Sequence, residues 1–403
     1  MRPTLISKLP DVGTTIFTVM SRRARELGAL NIGQGFPDYD IDPRLTELVR
    51  GAVSAGHNQY APMEGVIELR AQIAKKLDLS YGVRVDPESE VTVTLGATEA
   101  IYDAVQAVVG PGDEAIVFDP AYDSYDPAIR CAGGRCIHVP LSPPHFRYDW
   151  DRVRNLVNDR TRLIIINTPH NPACTIASMQ DMRTLAGIIS NRNIFVISDE
   201  VYEHVVYDGA EHASILKLPE LRERGYAVFS FGKTLHATGW RVGYAVAPPE
   251  LTREMRKVHQ FNTFSITNPL QQAIASYLIE KPDAWSGLAG FFQPKRDRLR
   301  AALADTPFVL PPAQGTYFQL VDFGAFDRSS GLGDRQRGDV PKDVQFAERL
   351  LTEAGIATIP LSPFYRDPPP TTLVRVCIAK KDSTLDEAAS RLRAFARSAT
   401  LGP

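Results

Sequence analysis

From about residue 45 to 285, stretches of helical periodicity alternate with short apolar runs: Val91–Leu95, Ala115–Phe118, Leu163–Asn167, Ile194–Ser198, Ala227–Phe231 and Val242–Ala247. Each run is rich in β-branched or aromatic residues and bounded by Gly, Pro, Asp or Asn. Strands buried on both faces read this way, and the helices between them predict α/β layering. Residues 1–40 are punctuated by Pro and Gly, apart from a helix predicted around Ile16 to Leu27. A long amphipathic helix is predicted to lead out through Pro269–Glu280 and on to Phe291–Ala304. Beyond it, strand-like Thr316–Val321 and Leu373–Ile378 are separated by helical Val344–Ala354, the pattern of a smaller α+β domain. Phe326–Lys342 is polar and Gly-rich and is expected to form a mobile surface loop.

Composition narrows the function classes. At 403 residues the chain is too long for one small core, so a large domain and a smaller one are expected. A formal net charge of -2 offers no general attraction to nucleic acid or anionic lipid. Two Arg groups (Arg22, Arg23, Arg25 and Arg296, Arg298, Arg300) fall in helical segments and read as solvated faces. The four cysteines form no CxxC pair, which fits reduced thiols in a cytoplasmic protein. No signal pattern and no membrane-length apolar run is present, so neither a membrane nor a nucleic-acid partner is expected. The histidines lack metal-ligand spacing; His204 and His212 read as surface or supporting groups, and no metal is expected.

The unusual polar residues cluster just after the apolar runs, where ligands bind in open α/β sheets. Leu95-Gly96-Ala97-Thr98 places small residues at a helix start, which suits either an anion or a plain cap by Thr98. Asn167-Thr168-Pro169-His170-Asn171-Pro172 brings Asn171 to a strand end, as a ligand group or an ordinary turn. Asp199 follows Ile194–Ile197, so its carboxylate needs a cationic or hydrogen-bonding partner or else caps a helix; Tyr202 follows three residues later. Lys233 stands between a strand and a Gly-containing turn, flanked by Ser230 and Arg241, and becomes a nucleophile once its amine is desolvated. Arg375, inside Leu373–Ile378, is costly to bury unless it grips an anion, either a ligand carboxylate or a structural ion pair.

These elements, in this order, resemble fold-type I pyridoxal-5′-phosphate (PLP) enzymes of the class I/II aminotransferases. The runs Gly33-Gln34-Gly35-Phe36-Pro37-Asp38, Asn58-Gln59-Tyr60-Ala61-Pro62-Met63, Phe118-Asp119-Pro120-Ala121-Tyr122-Asp123-Ser124-Tyr125, Pro143-Pro144-His145-Phe146 and Gly315-Thr316-Tyr317-Phe318 extend the likeness to the kynurenine/glutamine-transaminase and methionine-aminotransferase branches. It implies a large PLP-binding domain at 45–285 with a mostly parallel seven-stranded sheet between helices. It also implies an N-terminal arm at 1–44 that joins part of the small domain, and a small α+β domain at 286–403.

By the same resemblance, Lys233 holds PLP as a Schiff base and shuttles the proton, and Asp199 pairs with the pyridine nitrogen. Tyr202 and Asn171 contact the ring hydroxyl, and Tyr122 stacks on the ring. Ala97, Thr98, Ser230 and Arg241 bind the phosphate, joined by Tyr60 reaching into the neighbouring subunit of a homodimer. Arg375 binds the substrate carboxylate with Asn171 and the backbone of Gly35, and Phe17 and Tyr60 line the substrate pocket. The implied reaction is a ping-pong transfer from an amino acid to a 2-oxo acid.

Phe17, Tyr60, Tyr122, Phe264 and Tyr317 are the expected pocket aromatics, and no second Arg is placed for an acidic side chain. An uncharged donor follows: methionine-like, aromatic, kynurenine or glutamine. The rival within PLP chemistry is a cysteine-conjugate C–S β-lyase. The rival from another class is a PLP-binding regulator, for whose DNA-binding head residues 1–40 are too short. One departure stands out: Ala173-Cys174 follows the Asn-Pro turn where many relatives have Gly, so the turn is expected to differ slightly.

Overall fold

A computed structural model describes residues 3–327 and 340–400. The strands are β1 (Leu30–Asn31), β2 (Val91–Thr94), β3 (Glu114–Asp119), β4 (Arg135–Pro140), β5 (Thr161–Asn167), β6 (Phe195–Asp199), β7 (Gly225–Ser230), β8 (Gly243–Val246), β9 (Phe318–Asp322), β10 (Ile356–Ala357), β11 (Ile359–Pro360) and β12 (Leu373–Cys377). Seven of them form one sheet in the order β2-β8-β7-β6-β5-β3-β4, parallel except for β8.

Strand parity splits this sheet's side chains between two cores. Ala115, Val117, Leu163 and Ile165 join one cluster with Ile101 and Val105 of the helix Gly96–Val108. Their neighbours Ile116, Phe118, Ile164 and Ile166 join the other, with Leu69, Ile73 and Leu77 of the helix Ile67–Tyr81. Burial on both faces explains the unbroken apolar runs. The seventh strand, β4, was not among those runs. It lies at the sheet edge with Arg135 exposed and His138 half-buried, so RCIHVP carries no such signal.

A second, antiparallel sheet, β11-β12-β9, packs with the helices Leu288–Leu303, Lys342–Glu353 and Asp382–Thr400. Between them lie Phe308, Phe323, Phe346 and Phe395. β1 pairs in parallel with β10, which ties the N-terminal segment to this part of the molecule. On that pairing we propose the division 1–44, 45–285 and 286–403, with the arm joining the smaller body.

Three expectations are corrected. The long helix is two helices, Asn268–Glu280 and Leu288–Leu303. Lys281 leaves helical geometry at φ -129° and ψ 76° because Pro282 follows and crowds the preceding backbone. Residues 328–339 of the expected loop lie outside the described residues, but its ends are helical, Gly324–Asp327 and Lys342–Glu353. Arg296 is not solvated: it is buried, donating to Asp208 and to the Ala313 carbonyl.

Candidate active site

The carboxyl ends of β2, β3, β5, β6 and β7 share one edge of the sheet, and antiparallel β8 starts there. A cavity of about 360 Å3 opens at that edge. Ala97, Thr98, Tyr122, Asn171, Asp199, Tyr202, Ser230, Lys233 and Arg241 line it, with Phe17, Gly35 and Arg375 from the other sheet's side. Segments far apart in sequence thus converge on one space.

At one end stands the helix Gly96–Val108. Its N-cap is Leu95, not Thr98, and no side chain caps it, so the first-turn N–H groups stay open towards the cavity. Gly96 takes φ +74°, and a Cβ there would stand 2.6 Å from Arg241 Nη2. The glycine thereby lets a guanidinium approach the helix end, where Arg241 lies 3.5 Å from Thr98 Oγ1. Ser230 ends β7 with its hydroxyl unspent on capping. Open amides, a hydroxyl and a guanidinium make a socket for a phosphate.

In the middle lies Asp199, fully inside the protein. Tyr125 Oη donates to its Oδ2 at 2.6 Å, and the Val201 N–H points to its Oδ1 at 3.3 Å. Burial pushes the carboxyl up to about 6, against the pull of these two donors. It caps no helix; a turn follows. Lys233 donates to Tyr317 Oη at 2.8 Å, and Tyr317 donates onward to the Gly35 carbonyl at 2.7 Å. Burial pulls the Lys233 ammonium down to about 8. Covalent capture of an aldehyde by the empty protein is therefore expected to rise with pH around a midpoint near 8. A midpoint above 10 in a pH series of PLP uptake rates would show an ordinary, solvated lysine.

At the far end Arg375 is buried and has no carboxylate partner among the described residues, so it is not a structural ion pair. It donates to Asn171 Oδ1 at 2.5 Å and to the Gly33 carbonyl at 3.1 Å, and its Nε–H has no partner. The guanidinium lies 3.8 Å from the Phe318 ring centroid and 5.2 Å from that of Phe17. A buried guanidinium with unspent donors, stacked on rings, is built to receive an anion. Gly35 permits the packing, since a Cβ there would meet Phe318 Cζ at 2.6 Å.

Some expected residues fall elsewhere. Tyr60 lies outside the cavity, 84% exposed, with Phe264 edge-on at 5.4 Å. Tyr317 sits behind the cavity, edge-on to Tyr202 at 4.9 Å. Of the two readings for His204 and His212, the surface one fails: His204 ends the turn that carries Tyr202, both side chains are largely buried, and His212 meets Glu200 at 2.8 Å. Cys174 takes the left-handed conformation after all, at φ 61°, held by its N–H on the His170 carbonyl and by Gln314 and Gly315 on its own carbonyl. The turn keeps a glycine-like shape at a cost of roughly 1 kcal/mol in backbone strain.

Reading the sequence also missed Tyr125 as the partner of Asp199, and Asn167. Asn167 accepts the Asn171 N–H and donates to the Asp199 carbonyl, binding two strand ends together. Tyr125 stood inside a quoted motif, and Asn167 ends an apolar strand; the strand-end rule that found Asp199 applied to Asn167 as well.

Comparison with known proteins agrees with this geometry. The profile of the family "Aminotransferase class I and II" matches residues 28–392. Methionine aminotransferase of Escherichia coli is 50% identical over 387 residues, covering 96% of this chain and 97% of that one. Its solved structure superposes with a TM-score of 0.91, covering 98% of this chain and 100% of that one at 48% identity. The probable N-succinyldiaminopimelate aminotransferase of Mycobacterium tuberculosis is 39% identical over 404 residues, covering 97% and 98%. Kynurenine–oxoglutarate transaminase of Dictyostelium discoideum is 32% identical over 409 residues, covering 94% of each chain. All are transaminases by name. With the family profile matching residues 28–392 and relatives aligned almost from end to end, a chain whose cavity joins an open helix start, a desolvated lysine and a buried arginine is a member of the class I and II aminotransferases and a transaminase.

Proposed function

We propose that the cavity binds PLP and that the enzyme transfers the amino group of an uncharged amino acid to a 2-oxo acid by a ping-pong cycle. The favoured donor is methionine-like, with aromatic amino acids, kynurenine or glutamine as alternatives. The carrying observation is Arg375: one buried guanidinium with a spare donor, backed by the rings of Phe17 and Phe318. The other arginine lining the cavity, Arg241, is engaged at the phosphate end. Such a pocket suits one carboxylate and an apolar or thioether side chain.

Bound PLP supplies an electron sink for the pair released when Cα–H breaks. The chain's own residues do the rest. Ala97, Thr98, Ser230 and Arg241 would hold the phosphate, and Tyr122 would pack against the ring. Asp199 would keep the ring nitrogen protonated, and Tyr202 and Asn171 would hold the ring hydroxyl. Arg375 and Asn171 fix the donor carboxylate, which orients Cα–H; positioning of this kind contributes roughly several kcal/mol. Lys233, whose ammonium burial pulls down to about 8, keeps a minor neutral fraction at physiological pH; that amine would take the Cα proton and deliver it on the cofactor side.

We assign Tyr60 to the partner's phosphate site across a homodimer interface. Its exposure, with that of Phe261 (85%), leaves an aromatic patch for a second copy to cover. No helix among the described residues is long and apolar enough to cross a membrane. All four cysteines are unpaired, which suits a cytoplasmic setting. A panel of amino donors against one 2-oxo acid is expected to give methionine a kcat/KM at least about tenfold above aspartate. Preference for aspartate would overturn the uncharged-donor assignment.

A further inference from the structure

The cavity opens on one side into a vestibule of about 640 Å3 that shares Thr15, Phe17, Tyr122 and Asp123 with it. Two arginines distant in sequence line this vestibule: Arg130, in the helix Tyr125–Cys131, and Arg366. Both close on one carboxylate, that of Asp11. Arg130 Nη2 donates to Asp11 Oδ1, and Arg366 Nη1 donates to Asp11 Oδ2 at 2.8 Å. Each oxygen has its own guanidinium, the arrangement by which a protein grips a ligand carboxylate. Here the carboxylate comes from the N-terminal arm, shortly before Thr15 caps the helix Ile16–Glu26 that carries Phe17.

Two of the neighbouring carboxylates are matched, and two more, Asp123 and Asp367, line the vestibule. Arg130 also donates to Asp126 at 3.1 Å, and His138 meets Asp119 at 2.8 Å. Among the described residues, Asp11 is the one carboxylate within salt-bridge distance of the Arg366 side chain. Phe17 lies under Arg375 and lines both spaces, so a substrate side chain running along its ring from Arg375 enters the vestibule.

We propose that Asp11 is an internal carboxylate occupying a two-arginine site at the mouth of the cavity, and that it thereby steers the enzyme away from 2-oxo acids bearing a second carboxylate. With Asp11 in place, a distal carboxylate meets a like charge and engaged donors. Without it, Arg366 is free and Arg130 half-free to bind that group. The inference rests on the uncharged-substrate reading above and assigns part of its cause.

The test compares kcat/KM for 2-oxoglutarate and 2-oxohexanoate with one donor in the PLP-loaded enzyme. Wild type is expected to favour 2-oxohexanoate. Asp11→Ala is expected to raise the 2-oxoglutarate to 2-oxohexanoate ratio about tenfold, the range of a charge-assisted hydrogen bond. Asp11→Asn, which keeps the side chain's size, is expected to move it the same way by less. Adding Arg366→Ala to Asp11→Ala is expected to return the ratio towards the wild-type value. An unmoved ratio, an equal rise for both acids, or a gain that survives the loss of Arg366 would overturn the role of Asp11 and leave the uncharged-donor reading standing. A wild type that already favours 2-oxoglutarate would also overturn the role of Asp11, while the donor reading stands or falls on the amino-donor panel.

Discussion

Lys233→Ala is expected to lower transamination by at least about 10^4-fold while the chain still folds. The amine is desolvated, and among the described residues Tyr317 is its hydrogen-bond partner. Removing it leaves Tyr317 its bond to the Gly35 carbonyl. The loss should therefore fall on chemistry rather than stability. Two measurements check this: kcat at saturating donor, and borohydride fixation of the cofactor. Wild type should yield one labelled peptide, the one containing residue 233, and the variant none. Turnover at a normal rate in the variant would refute the assignment.

Asp199→Asn is expected to slow the single-turnover rate about 10^2- to 10^3-fold, the scale seen when one preorganised electrostatic group is removed from an active site. The physical case is burial. The carboxyl sits at about 6, well above its ordinary value, because charge is costly there without a cation. The linkage sign follows from that rise. In the empty protein, stability tied to this group grows as pH falls through about 6, since the folded state then takes up the proton first. A protonated ring nitrogen beside Asp199 reverses the preference, so PLP affinity should weaken below about pH 6. The asparagine variant should lose this pH dependence. A variant that turns over at near wild-type rate, with an unchanged affinity–pH profile, would remove Asp199 from the electronic role.

The large sheet was legible because its central strands are buried on both faces, so each prints an unbroken apolar run. The strand β4 was not, because an edge strand with Arg135 and His138 shares its pattern with loops. Lys233, Asp199 and Arg375 could be read as misfits, a charge beside or inside a run that should exclude it. Tyr125 and Tyr317 could not be read in that way. Each acts through a hydroxyl on a buried ring, and a buried ring needs no partner to account for its place. Tyr60 was expected in the substrate pocket, yet the chain leaves it facing outward; on the proposal above, its place is completed by a second copy. Asp11 carried no signal, since a lone Asp in a Pro- and Gly-punctuated arm reads as solvated until Arg130 and Arg366 are seen around it.

The meeting of Arg375 with the Gly33 carbonyl, and of the Cys377 N–H with the Ile32 carbonyl, joins positions more than three hundred residues apart. During synthesis, the phosphate socket and Lys233 can come together once the strands up to β8 have emerged. Recognition of an amino acid has to wait for the last strand, β12, to dock against the beginning of the chain. A polypeptide cut short before residue 373 would lack Arg375, the guanidinium proposed to hold the substrate carboxylate.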